Sequence, residues 1–166
     1  MTSYLKPLRR PLQPHERKSL IQRYYDPHHS QLEVAVSTSL NSFGKCLVID
    51  CHSFPAVALP YELTSVSDIR PDICIGTDDF HTEDNVAAAF RVAFVNAGWN
   101  VAVNHPFTGA LVPASRYRKD KRVQAVMIEV NRRLYLNEFD GTRLPDFDST
   151  AQKIRRCCGE ALKRIR

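Results

Sequence analysis

Four short apolar runs, Cys46–Asp50, Asp72–Gly76, Trp99–Val103 and Val123–Val130, are separated by segments that carry apolar residues at helical spacing. Runs of this length bounded by turn formers read as buried strands, and strands alternating with helices argue for a largely parallel α/β sheet. Two of the runs also carry groups that an apolar core does not welcome. The first ends in Asp50-Cys51-His52-Ser53-Phe54-Pro55, so its histidine is expected where a strand leaves the core. Ligands collect at the carboxyl ends of strands in such sheets. The last run drives Glu129 through Val126-Met127-Ile128-Glu129-Val130-Asn131-Arg132. A buried carboxylate is costly unless it is paired, hydrogen-bonded or bound to metal.

The helices follow from spacing and caps. Pro14 suits a first helical turn, with Leu20, Ile21 and Tyr24 as the apolar face. Asp26-Pro27 reads as the cap and first position of a second helix, which buries Leu32, Val36 and Leu40 and stops at Gly44. Thr82 is the expected N-cap of a third helix with Val86, Phe90, Phe94 and Ala97 inside. Ser149-x-x-Gln152 has the form of a capping box opening a fourth, whose inner face is Ile154, Cys157 or Cys158, Ala161 and Ile165. A long loop runs from His52 to Pro71. The expected organisation is one domain, 1–166, with an irregular stretch at 1–13. Four strands make a thin sheet.

Five cysteines, with no Cys-x-x-Cys pair, fit reduced, packed thiols better than a disulfide framework. Charge is segregated: residues 1–30 hold six Lys/Arg and two acids, residues 116–166 fourteen and seven, and residues 31–115 three and nine. The basic ends lack an aromatic-basic nucleic-acid motif, so a small anionic substrate is the expected partner and nucleic acid is not. No apolar run spans a bilayer and no h-region opens the chain, so a cytoplasmic location away from membranes is expected.

Each candidate site residue has two readings. His52 is a metal ligand, or a strand-end histidine hydrogen-bonded to Asp50 or backbone. Glu129 is a general base or metal ligand, or a carboxylate paired with Arg132 or Arg133 on a solvated face. Thr77-Asp78-Asp79-Phe80-His81 offers metal donors, or an acidic loop before a helix. Asn104 stands at a strand end within reach of a ligand. His28-His29 reads as surface. There is no Gly-rich phosphate loop and no nucleophile-elbow serine, which favours metal-assisted or acid–base chemistry over an acyl-enzyme.

Five blocks in order then resemble one family. They are Arg23-Tyr24-Tyr25-x-Pro27-His28, Asp50-Cys51-His52-Ser53, Arg70-Pro71-Asp72-Ile73-Cys74-Ile75-Gly76-Thr77-Asp78, Asn104-x-Pro106-Phe107-x-Gly109 and Ile128-Glu129-Val130-Asn131-Arg132-x-Leu134-Tyr135. Together they resemble the N-formylglutamate amidohydrolases. The resemblance implies a zinc-peptidase-like (phosphorylase/hydrolase-like) α/β fold, with a mostly parallel or mixed sheet flanked by helices. It implies Zn2+-assisted hydrolysis of N-formylglutamate to formate and glutamate, and a place in histidine degradation. By it His52 matches a zinc-binding histidine and Glu129 the general base. Arg70, Asn104 and Arg132 match polar positions that hold the substrate's carboxylates.

The chain departs from the family at its start, where a Pro-His-x-Gly-like strand end and a downstream acidic ligand are expected. That implies an N-terminally truncated sheet with an unpaired edge, open to a homo-oligomer or a partner chain. The remaining zinc ligands would come from Asp78, Asp79, His81 or that partner. The alternative is a non-catalytic relative that retains carboxylate binding.

Overall fold

The computed structural model describes residues 6–7, 9–60, 62 and 69–165. The helical start is one continuous rod rather than two helices. Helix α1 (Pro14–Leu20) passes through a π-helical turn, Ile21–Tyr25, into α2 (Asp26–Phe43). Pro27 explains the turn. Its ring would clash with the carbonyl four residues back, at Arg23, and it has no amide hydrogen to donate. The backbone widens there, and the Asp26 amide reaches back to the carbonyl of Ile21. Neither α1 nor the π turn buries a residue, so Leu20, Ile21 and Tyr24 form no inner face. Val36 and Leu40 of α2 are buried as the spacing predicts, with Leu32 packed beside them.

Helix α2 ends at Gly44, whose φ of 70° is left-handed. A Cβ there would touch nothing within 4 Å, so only backbone strain opposes a side chain. Gly44→Ala should therefore cost about 1 kcal/mol and lower the melting temperature by roughly 3 °C, read by thermal unfolding.

Four strands form one sheet: β1 (Cys46–Phe54), β2 (Ile73–Gly76), β3 (Val101–Val103) and β4 (Val123–Asn131), in the order β1-β4-β2-β3. β1 runs parallel to β4 and β2 parallel to β3, while β2 and β4 are antiparallel. The fold is α/β with a mixed sheet. Only β2 and β3 are joined through a helix, α3 (Asp84–Asn96), and only there are consecutive strands parallel. The links 55–72 and 104–122 carry no helix among the described residues, and the strands they join point in opposite directions. A parallel neighbour needs a long crossover, whereas an antiparallel one does not.

β4 is covered on both faces. Val126 and Ile128 pack with Ile73, Ile75, Phe90 and Phe94 under α3 and the last helix, α4 (Phe147–Arg164). Val123 and Ala125 meet Val36 and Leu40 of α2 together with Val112. Within α4, Cys157 and Ala161 are buried as expected, but the helix opens earlier than Ser149. Phe147 is drawn into the first turn by edge contact with Tyr135 at 5.8 Å and by the Arg143 guanidinium over its ring at 4.2 Å. Ser149 caps nothing and donates to the carbonyl of Asp146 at 2.9 Å. Thr82 likewise precedes the helix, whose N-cap is Glu83. Its hydroxyl donates to the Ala125 carbonyl at 2.6 Å and ties the loop to β4.

All five cysteines are free, but they are not all packed. Cys74 and Cys157 are buried, and Cys51 is exposed. Of the segments expected to be irregular, 1–5 and 8 at the start and 61 and 63–68 in the loop after β1 lie outside the described residues. No helix among the described residues is long and apolar enough to cross a membrane.

Candidate active site

β1 runs four residues further than its apolar run, so His52 lies within the strand rather than beyond it. The register pairs His52 with Glu129 and Asp50 with Met127 across parallel strands. Residues paired in register share a face, so Asp50, His52 and Glu129 stand together on the side covered at its other end by α2. From the antiparallel side Cys74 pairs with Glu129. The α2 helix reaches only the first half of this face, and the second half is closed by loops.

Those loops are fixed by contacts of their own. Asn104 has a φ of 56°, and its amide group is used locally. Its side-chain oxygen accepts from the Thr77 amide at 2.8 Å and its nitrogen donates to the Thr77 hydroxyl at 2.8 Å. The turn it anchors presses the Gly109 carbonyl onto Gly76, where a Cβ would lie 2.5 Å from that oxygen. Only glycine at 76 permits so close an approach. Asn104 therefore shapes the rim of the site, and both ends of its side-chain amide are engaged there.

Asp50 bridges two walls. One oxygen meets His52 Nε2 at 2.8 Å and the other accepts from the Leu111 amide at 3.0 Å. The imidazole is thus held by a carboxylate through one nitrogen, which leaves Nδ1 for other chemistry. Glu129 is only 8% exposed, and its Oε2 finds no hydrogen-bond partner among the described residues. Burial pushes its carboxyl above the ordinary value of 4.5; His52 opposes the rise, the Asp50 charge adds to it, and Arg132 and Arg70 oppose it. A carboxylate that holds its proton more readily than usual, with one oxygen free, is suited to take and return a proton.

The two arginines differ. Arg70 is 4% exposed, donates to the Pro55 carbonyl at 2.8 Å and ion-pairs with Glu62. Its guanidinium lies 5.4 Å from the Phe54 ring centre and 5.6 Å from that of Phe107. It is built into the wall. Arg132 follows β4, half-buried, with one nitrogen 3.3 Å from the Ser53 carbonyl and another 3.9 Å from Glu138. The Glu62 pairing and the two phenylalanine rings are the parts of the site that sequence reasoning missed. No periodicity marked them, because Glu62 and Arg70 share one irregular link while Phe54 ends β1 and Phe107 lies in the 104–122 link.

Of the expected donors beyond β2, His81 and Asp78 are committed elsewhere, and Asp79 lies exposed in the same loop. His81 is fully buried; Nδ1 donates to the Val123 carbonyl at 2.7 Å and Nε2 accepts from the Arg118 amide at 2.7 Å. A carbonyl can only accept and an amide only donate, so both ring nitrogens are engaged and no lone pair is left for a metal. Asp78 accepts from the amides of Phe80 and His81 and from the Tyr117 hydroxyl. These groups fix the loop before α3. A catalytic zinc takes three protein ligands and an open position. Among the described residues no group of three or more His, Cys, Asp or Glu side chains is placed to hold a metal ion. His52 and Glu129 fit as two donors at most, and the described residues do not make a complete zinc site.

Comparison with known proteins bears on this arrangement. The family model for N-formylglutamate amidohydrolase matches residues 2–136. The solved N-formylglutamate amidohydrolase from Ralstonia eutropha JMP134 is 27% identical, with a TM-score of 0.78 over 93% of this chain and 54% of that one. The gene product Atu2144 from Agrobacterium tumefaciens is 21% identical, with a TM-score of 0.62 over 94% of this chain and 57% of that one, a likeness of fold alone. The chain thus spans a little over half the length of these structures. No curated protein sequence matches it.

Proposed function

The chain belongs to the N-formylglutamate amidohydrolase family, and on that premise we propose that it hydrolyses the amide of an N-acyl amino acid such as N-formylglutamate, giving formate and glutamate. The observation that carries this reading is Glu129: a buried carboxylate with a free oxygen, raised pKa and His52 beside it in register. In this reading Glu129 takes a proton from the attacking water as the new C–O bond forms. It returns that proton to the amide nitrogen as the C–N bond breaks. Asp50 orients the His52 ring. Arg132 draws the substrate's carboxylates to the rim, and Arg70 supports them from within the wall rather than by contact. Zinc belongs to this reading as a group held by His52 with donors from outside the described residues. It would supply Lewis-acid polarisation of the carbonyl.

The donor count favours a second reading, in which the chain binds such carboxylates without turning them over. One experiment separates the two. The purified chain is incubated with N-formylglutamate, with and without added zinc, while formate release and heat of binding are followed. Formate and glutamate in equal amounts establish the hydrolase. Binding heat with no formate establishes the binding module, and neither signal rejects both.

A further inference from the structure

The two edges of the sheet are unlike. β3 has three residues, too few to template another strand. β1 has nine, and among the described residues it pairs with β4 alone. Soluble proteins blunt a long open edge with lysine, proline or a bulge. Cys46–Phe54 contains no lysine, arginine or proline, and its register against β4 is unbroken. Its most exposed residues are the consecutive Cys51, His52 and Ser53. Among the described residues the edge is therefore long and regular where the site lies, its guards being the charge of Asp50 and the Arg132 guanidinium against the Ser53 carbonyl.

We propose that β1 pairs antiparallel with β1 of a second copy of this chain, about a two-fold axis at Cys51, so that each Asp50 faces the partner's His52. The sequence is self-complementary in this register. Residues opposite one another share a face in an antiparallel pair, so only registers that keep 50 and 52 on the site face with their counterparts preserve the core. An axis at Asp50 sets carboxylate against carboxylate, and one at His52 sets imidazole against imidazole. The axis at Cys51 alone sets an acceptor against a donor, twice, as two-fold symmetry requires. It also places Val48 opposite the partner's Phe54, and Ile49 opposite the partner's Ser53. The two four-stranded sheets become one of eight. Each Asp50, already bonded to its own His52 at 2.8 Å, then lies beside a second imidazole, and the site gains the partner's residues. The inference concerns assembly and does not depend on turnover.

Sedimentation and native mass spectrometry of the purified chain are expected to give twice the 18.9 kDa of one chain. Hydrogen exchange of the amides in 48–54 is expected to slow as protein concentration rises through dissociation. Cys51→Lys puts two like charges on the axis and should raise the dissociation constant by at least about tenfold, whereas Cys51→Ser should remain dimeric. A chain that stays monomeric at all concentrations overturns the proposal. A dimer whose concentration-dependent protection falls outside 48–54 overturns it as well, and that readout needs no variant.

Discussion

Replacing Glu129 by Gln should lower formate release by about a hundredfold or more, the usual scale of a positioned general base, without unfolding the chain. The amide keeps the shape of the carboxylate and loses its ability to take a proton. Stability should move the other way. The folded state raises the Glu129 pKa above 4.5, chiefly through burial. Between the unfolded and folded values the folded chain binds the proton more tightly, so this contribution is fully present below the unfolded value. It is lost as pH rises through the folded one. The wild type should therefore lose stability over that interval, and Glu129→Gln should lack the corresponding slope in urea unfolding measured across pH. Above the folded value, where the wild type must bury a charge with an unbonded oxygen, the variant should be at least as stable. Unchanged formate release in Glu129→Gln removes Glu129 from the chemistry. Lost release together with a large loss of stability makes it a structural residue instead.

Much of this site was legible in the chain because its parts are local. The carboxylate in an apolar strand and the histidine two residues after Asp50 stand out in any reading of Val126–Arg132 and Leu47–Ser53. What the residues could not reveal is long-range order. The end of β1 was hidden because its last residues before Phe54 are exposed and so carry no apolar run. His52 and Ser53 thus read as the start of a loop while their backbone stayed in register with β4. The place of β4 between β1 and β2 was equally silent, since alternation of strand and helix suggests crossovers that the 104–122 link does not make. His81 stayed open to a metal-donor reading because the carbonyl and amide that occupy it come from residues 37 and more positions away. In each case the deciding partner was backbone, which carries no signature in the sequence.

Arg70→Ala should be the most destabilising change in the wall of the site, at about 3–5 kcal/mol, the scale for removing one member of a buried ion pair. Arg70 and its partner Glu62 are both largely shielded, with side chains 2% and 9% exposed. Truncation strands the Glu62 carboxylate, takes the donor from the Pro55 carbonyl and strips the guanidinium from the Phe54 and Phe107 rings, which meet edge to face at 5.8 Å. Against a total stability of about 5–15 kcal/mol, such a loss would move the urea midpoint far to the left with little change in slope. Arg70→Lys keeps the charge, but a single ammonium cannot span the fork geometry of a guanidinium, so an intermediate loss is expected. Adding Glu62→Ala to Arg70→Ala should recover part of the loss, because the stranded charge goes with its partner. The family resemblance cast Arg70 as a contact for the substrate's carboxylates, and the same variants decide between the two roles. A wall residue takes stability and catalysis down together, and Glu62→Ala restores part of both. A contact residue raises KM while the urea midpoint stays within about 1 kcal/mol of wild type, and that result would move the arginine out of the wall and into the substrate's path.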